Sequence, residues 1–195
     1  MAALALVATC ASSASAAILV FTDQFLYNIY SSSYTHAAEN FDSYSGNFTS
    51  GVSGLSGAVA WSATANSGVA VVNGRLGSSS PEPLTLAFAS GPSVYGMGGN
   101  VFGVDAAGTA VPSLVFIMLN DGTSYTNLID SSSAFVGFIS TGAAITSMRV
   151  SAQSLPGGSA NVYPTLDNMD FAYVPAPGAF ALLGLAGLAG SRRRR

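Results

Sequence analysis

Lysine is absent from this chain of 195 residues, and the only thiol, Cys10, lies within its first few residues. All six cations are arginines, and four of them are the terminal Arg192, Arg193, Arg194 and Arg195. Only Arg75 and Arg149 then face nine carboxylates in the rest of the chain, too few to build the basic stripe that phosphate neutralisation requires, so nucleic acid is excluded as a partner. Charged residues amount to 8%, against the charge content of coiled coils and of charge-driven disorder. A single histidine, His36, and no second thiol exclude a zinc site built from His and Cys sets. No G-x-S-x-G elbow occurs, and one imidazole without a paired partner in the sequence predicts no catalytic triad; His36 reads as a loop or helix-flank residue. With no disulfide available, the fold must rest on packing, which a body of about 155 residues supplies from one core.

What the chain does have is two distinctive ends. Ala2 to Ala11 is almost wholly apolar and is followed by Ser12, Ser13 and the small-x-small pattern Ala14-Ser15-Ala16. This order predicts a secretory signal peptide over residues 1–17, cut after Ala16 or Ala17, although no Lys or Arg precedes the apolar run. Acylation of Cys10 is the alternative, disfavoured by Thr9 before it. At the other end come Val174-Pro175-Ala176-Pro177-Gly178, the apolar run Ala179 to Gly190, Ser191 and the four arginines. The prolines hold an extended backbone that a processing enzyme can grip. The apolar run is shorter than the roughly 20 residues of an untilted span, yet it enters a bilayer by tilting or by thinning it. Arg192 to Arg195 then act as a stop-transfer cluster kept on the cytoplasmic side.

This tripartite end resembles the sorting tail of the PEP-CTERM proteins of bacteria, substrates of membrane protease-transferases called exosortases. Val174-Pro175-Ala176-Pro177 matches the family motif except that Ala176 stands where Glu is usual. The resemblance implies export, transient anchoring in the inner membrane by a C-terminal hydrophobic transmembrane helix, and processing by an exosortase-type enzyme, with final placement at the cell surface or outside the cell. Residues 174–195 are thus read as the sorting segment and 18–173 as one body.

Within the body, Ile18 to Phe21 reads as a strand, and Thr22-Asp23 as the start of a helix over Gln24 to Tyr30 with Phe25, Leu26 and Ile29 as its apolar face. Ala37 to Phe41 is a further apolar signal, and the Gly- and Ser-rich stretch from Asp42 to Gly57 reads as a loop. Beyond it, strands are predicted at Ala58 to Ala63, Val69 to Val72, Leu84 to Phe88, Val101 to Val104, Ser113 to Leu119, Thr123 to Ile129, Phe135 to Ile139, Ile145 to Ser151 and Val162 to Tyr173. Asn120-Asp121-Gly122 predicts a tight hairpin, and the shift of apolar parity between Leu166 and Met169 predicts a bulge near Asp167. Gly96-Met97-Gly98-Gly99 lacks the third glycine of a dinucleotide fingerprint and reads as a bend or bulge. Short strands spaced by turn residues predict a mostly β protein, an antiparallel β-sandwich with one short N-terminal helix. Segments such as Glu39-Asn40-Phe41-Asp42 and Leu166-Asp167-Asn168-Met169 are similar to segments common in bodies of the same family, which implies a jelly-roll-like, lectin-like form.

Asp42, Asp167 and Asn168 are candidate Ca²⁺ ligands if the first and last strands are neighbours, because carboxylate and amide oxygens suit that ion; no other cofactor is expected. Asp23, Glu82 and Asp121 have structural explanations as cap and turn residues. Tyr34, Tyr44, Phe48 and Trp61 surround the glycine-rich stretch, either stacking on sugars or packing beneath it. The sequence therefore predicts a non-enzymatic, exported protein of the cell surface or exopolysaccharide matrix, structural or adhesive in its body. A carbohydrate-binding module is the alternative, and an enzyme acting on polysaccharide through two carboxylates ranks last.

Overall fold

The computed structural model describes residues 17–89, 91–159 and 161–175. The signal segment up to residue 16, and Ala176, Pro177 and Arg192 to Arg195 of the sorting tail, lie outside the described residues, as do the helices expected at both ends. No helix among the described residues is long and apolar enough to cross a membrane.

The body is mostly β, with antiparallel sheets in a sandwich-like arrangement. One sheet has nine strands in the order β1 (Ile18–Phe21), β13 (Phe135–Ser140), β9 (Ser93–Val104), β15 (Tyr163–Val174), β7 (Arg75–Ser78), β6 (Val69–Val72) and β3 (Gly46–Phe48), with β10 (Ala110–Val111) added to β9 and β2 (Thr35–Glu39) added to β15. The second runs β12 (Ser124–Ile129), β11 (Ser113–Leu119), β14 (Ser147–Ser154), β8 (Leu84–Phe88), β5 (Val59–Thr64) and β4 (Val52–Ser56). Alternation along the strands sets the core: Val115, Ile117 and Leu119 of β11, and Val59, Trp61 and Ala63 of β5, turn inward towards Leu76, Leu166 and Phe171. Burying a side chain of this size contributes about 1.5–3 kcal/mol, which is how a chain without disulfides holds together.

The Asn120-Asp121-Gly122 hairpin forms as predicted between β11 and β12, with Gly122 at φ +87° and Asp121 Oδ1 accepting from Thr123 N–H at 2.9 Å. The predicted bulge is also present, since the β15–β9 register shifts between Asp167 and Asp170 and Asn168 adopts φ +49°.

Four readings are corrected. The stretch after Asp42 is not one loop but carries β3 and β4, which pair with β6 and β5. The segment Arg75–Ser78 is a strand that sequence reasoning passed over, although Asn73-Gly74, with φ +52° and +70°, is the two-residue turn that most favours a hairpin. Gly96-Met97-Gly98-Gly99 is strand rather than bend: it lies inside β9, pairing with β13 on one side and β15 on the other, and the β15–β9 register shifts at both of its ends. Its glycines admit rings, for a Cβ at Gly98 would stand 2.6 Å from Phe135 Cζ and one at Gly137 of β13 would stand 2.7 Å from Tyr27 Cδ2.

The fourth correction concerns α1 (Gln24–Ser31), which forms where expected, with Asp23 Oδ1 accepting from Leu26 N–H at 2.9 Å as its N-cap. The side it buries is Tyr27 and Ser31, against β13 and β9, while Phe25, Leu26 and Ile29 face solvent. The apolar spacing identified the helix and misassigned its inner face, because glycines in β9 and β13 leave a slot that one tyrosine ring fills.

Candidate functional site

Strand β15 sits at the centre of the larger sheet and changes partner along one edge. Thr165 and Leu166 pair with β7, and Met169 to Tyr173 pair with β2. The bulge at Asp167 and Asn168 lies at the changeover, and polar side chains gather there. Asn40 Nδ2 donates to Asp42 Oδ2 at 2.7 Å, Asn168 Nδ2 donates to Asn100 Oδ1 at 3.1 Å, and Arg75 Nε is 3.7 Å from Asp167 Oδ2. The β6–β7 turn closes over Asp42: a Cβ on Gly74 would collide with Asp42 Oδ1. Burial pushes the Asp167 carboxyl above the usual carboxylate range, with the charge of Asp42 acting in the same sense, against the Asn168 backbone N–H and Arg75, which lower it.

Asp42 and Asp167 are thus brought within electrostatic reach of each other, through β2 beside β15 rather than through the first strand, which pairs with β13. No group of three or more His, Cys, Asp or Glu side chains assembles among the described residues, Asp42 already accepts from an amide, and the positive charge at Asp167 comes from Arg75.

From this junction a groove of about 320 Å³ extends over the outer face of the larger sheet. Ala70, Gly77 and Thr165 form part of its lining together with Arg75, Tyr163 and the turn at Asp105. Asp105 is engaged locally, its Oδ1 accepting from Ala107 and Thr109 N–H at 2.9 Å each. The Arg75 guanidinium lies 5.4 Å from the centre of the Phe102 ring, a cation–π contact that steadies it at the groove wall. Apolar surface makes up the larger part of the lining, with amide, hydroxyl and guanidinium groups set around it.

A second polar set lies beneath α1. Asp170 Oδ2 is 2.8 Å from His36 Nδ1 and accepts from the Tyr27 hydroxyl at 3.2 Å, and His36 Nε2 is 3.0 Å from the Ser31 carbonyl. His36 therefore belongs to β2 and has the orienting carboxylate that the sequence did not disclose, through the pairing of Ala172 with His36. Its second nitrogen meets a backbone carbonyl rather than a nucleophile, so the pair ties α1 to β2 and β15 instead of presenting a base. Burial, reinforced by the charge and hydrogen bond of Asp170, pushes the Tyr27 phenol far above its usual range, so it remains a donor.

The third is Glu39, buried with 7% exposure and with no ion pair among the described residues. Its Oε1 accepts from Phe41 N–H at 2.9 Å, and Oε2 accepts from the Ser56 hydroxyl at 2.7 Å and Trp61 Nε1 at 3.1 Å. Phe41 is held at φ +57°, and its ring meets Trp61 edge-on at 5.4 Å. The carboxylate thus fixes a backbone conformation that costs about 1–3 kcal/mol. No sequence pattern marks Glu39 as buried.

The aromatic candidates are packed. Trp61 is 1% exposed, Tyr44 packs edge-on against it, Phe48 lies against the core, and Tyr34 stacks on Tyr95 at 5.9 Å. Glu82 accepts from the Ser67 backbone N–H, which holds its carboxyl below the usual range. Of the sorting motif, Val174 ends β15 and Pro175 follows it directly. No family model, no curated protein and no solved structure matches this chain.

Proposed function

We propose that this chain is an exported protein of the bacterial cell surface or exopolysaccharide matrix, delivered through its signal segment and sorted by an exosortase-type enzyme acting at Val174-Pro175-Ala176-Pro177. The body is structural or adhesive, a jelly-roll-like, lectin-like sandwich with no catalytic role. The observation that carries the reading is the order of proline motif, apolar run and arginine cluster from Val174 to Arg195. It is supported by the end of β15 at Val174, where the paired backbone stops and the motif starts, so that cutting the tail leaves every described strand intact. Replacing Arg192 to Arg195 with serine and fractionating the cells tests it. Loss of membrane retention or of processing is expected, and unchanged behaviour overturns the reading.

A second reading, carbohydrate binding, is favoured by the groove beside Arg75 and Tyr163. A glycan array probed with the full chain tests it: saturable binding that Arg75→Ala and Tyr163→Ala weaken supports a sugar site, and no binding leaves the structural role alone.

A further inference from the structure

The outer side of α1 is apolar, and none of the described residues covers it. Phe25 is 71% exposed, Tyr30 60%, Ile29 50% and Leu26 48%, four of the eight residues of the helix. The patch continues onto β1, where Phe21 packs against Tyr30 with ring centroids 5.2 Å apart, and Leu19, on the same side of the strand as Phe21, is 38% exposed. The helix carries no acidic residue in its first turn and no basic residue in its last. Apolar residues gathered this densely on a soluble face mark a contact surface.

Its position in the fold indicates what it contacts. The last turn of α1 is tied to β2, which pairs with the last residues of β15: His36 Nε2 meets the Ser31 carbonyl at 3.0 Å, His36 pairs with Ala172, and Thr35 pairs with Tyr173. Val174, the next residue, is 45% exposed and is followed by Pro175, where the chain leaves the sheet towards its apolar run and terminal arginines. A membrane entered by that run is held next to the α1 face at high effective concentration, so even a small apolar contact is occupied. Phe and Tyr beside Leu and Ile are the side chains of a lipid–water interface, and the absence of charge on the helix removes the cost of laying it there. The acidic body gains nothing from anionic headgroups, so the contact is with the acyl boundary.

We propose that Phe25, Leu26, Ile29 and Tyr30 of α1, with Leu19 of β1, form a membrane-contact face that lays the body against the bilayer entered by its own C-terminal segment. The proposal rests on the sorting-tail reading above. The face is used while the tail holds the chain and is released with the body once the tail is cut.

The test uses the full chain carrying Phe25→Trp, reconstituted into vesicles of phosphatidylethanolamine and phosphatidylglycerol with brominated acyl chains. The parent chain, whose single Trp61 is buried, sets the background. Quenching of most of the added emission is expected, together with loss of that quenching when Leu26→Ser and Ile29→Ser are introduced; an unchanged melting temperature shows that these exposed positions leave the fold intact. A chain that floats with the vesicles while its added tryptophan stays unquenched overturns the contact face and leaves the tail reading standing. A chain that does not float overturns both. A dimer that Leu26→Ser with Ile29→Ser dissociates assigns the face to a second copy and overturns the lipid contact.

Discussion

Asp170 Oδ2 lies 2.8 Å from His36 Nδ1 and 3.2 Å from the Tyr27 hydroxyl, so one carboxylate oxygen joins the helix, the edge strand β2 and the central strand β15. α1 and β2 follow one another in the chain while β15 lies more than a hundred residues further on, and α1 has few other polar ties to the sheet. Tyr27→Phe is expected to cost about 1 kcal/mol, because Asp170 keeps its histidine donor. Asp170→Ala is expected to cost more, since it leaves the Tyr27 hydroxyl buried without its acceptor. Denaturant unfolding of both variants checks the order, and an Asp170→Ala no less stable than Tyr27→Phe contradicts it.

Glu39 gathers three donors in the core and has no ion pair among the described residues. Glu39→Gln keeps the volume but turns an amide NH₂ towards groups that also donate, and a loss of about 2–3 kcal/mol follows. Trp61 emission reports the change locally because its indole N–H shares the acceptor. A variant as stable as the parent shows that the carboxylate is dispensable.

Asp167 binds its proton more tightly in the folded chain than an ordinary Asp does, chiefly through burial. The folded state then holds extra proton across the window from the ordinary Asp range up to its raised value, so stability from this group falls as pH rises through that window. The cost is full at neutral pH and absent once both states are protonated. Asp167→Asn is therefore expected to raise stability at pH 7, by no more than about 1 kcal/mol since it also gives up the partly exposed Arg75 pair, and to change nothing near about pH 3. A lower melting temperature at pH 7 refutes this assignment.

Arg75 Nε already brings a positive charge to within 3.7 Å of Asp167 Oδ2. Calcium at millimolar concentration is accordingly expected to leave the melting temperature unchanged. A calcium-dependent rise, abolished by Asp42→Asn, would restore Asp42, Asp167 and Asn168 as ion ligands.

Ser113 Oγ is fully buried and has no hydrogen-bond partner among the described residues. It packs against Gly103, where a Cβ would also meet Val162. Ser113→Ala removes an unpaired hydroxyl without opening a sizeable cavity, and a gain of about 1 kcal/mol is expected in thermal unfolding. Loss of stability instead means that the hydroxyl is paired.

Local patterns made much of the architecture legible. Short β-branched or aromatic runs between turn residues located β6, β8, β11 and β13 to within a residue or two, and Asn120-Asp121-Gly122 fixed a hairpin because few residues adopt positive φ cheaply. Asn73-Gly74 carried the same information for β7, and the short polar-ended strand beyond it hid it. The parity shift before Met169 revealed the bulge, since a side-chain period of two cannot slip without an extra residue.

By itself the sequence determined a mostly β body, its turns, its N-capped helix and the proline, apolar and arginine order of its last residues, because each depends on neighbours along the chain. Tertiary structure alone decided that β15 changes partner at Asp167, that Asp170 meets His36 and Tyr27, that Glu39 is buried, and that α1 turns Tyr27 inward and Phe25 outward. Those outcomes follow from which strands become neighbours and where glycines leave room for a ring, and hydrogen bonds between residues more than a hundred positions apart leave no periodic trace in a single chain.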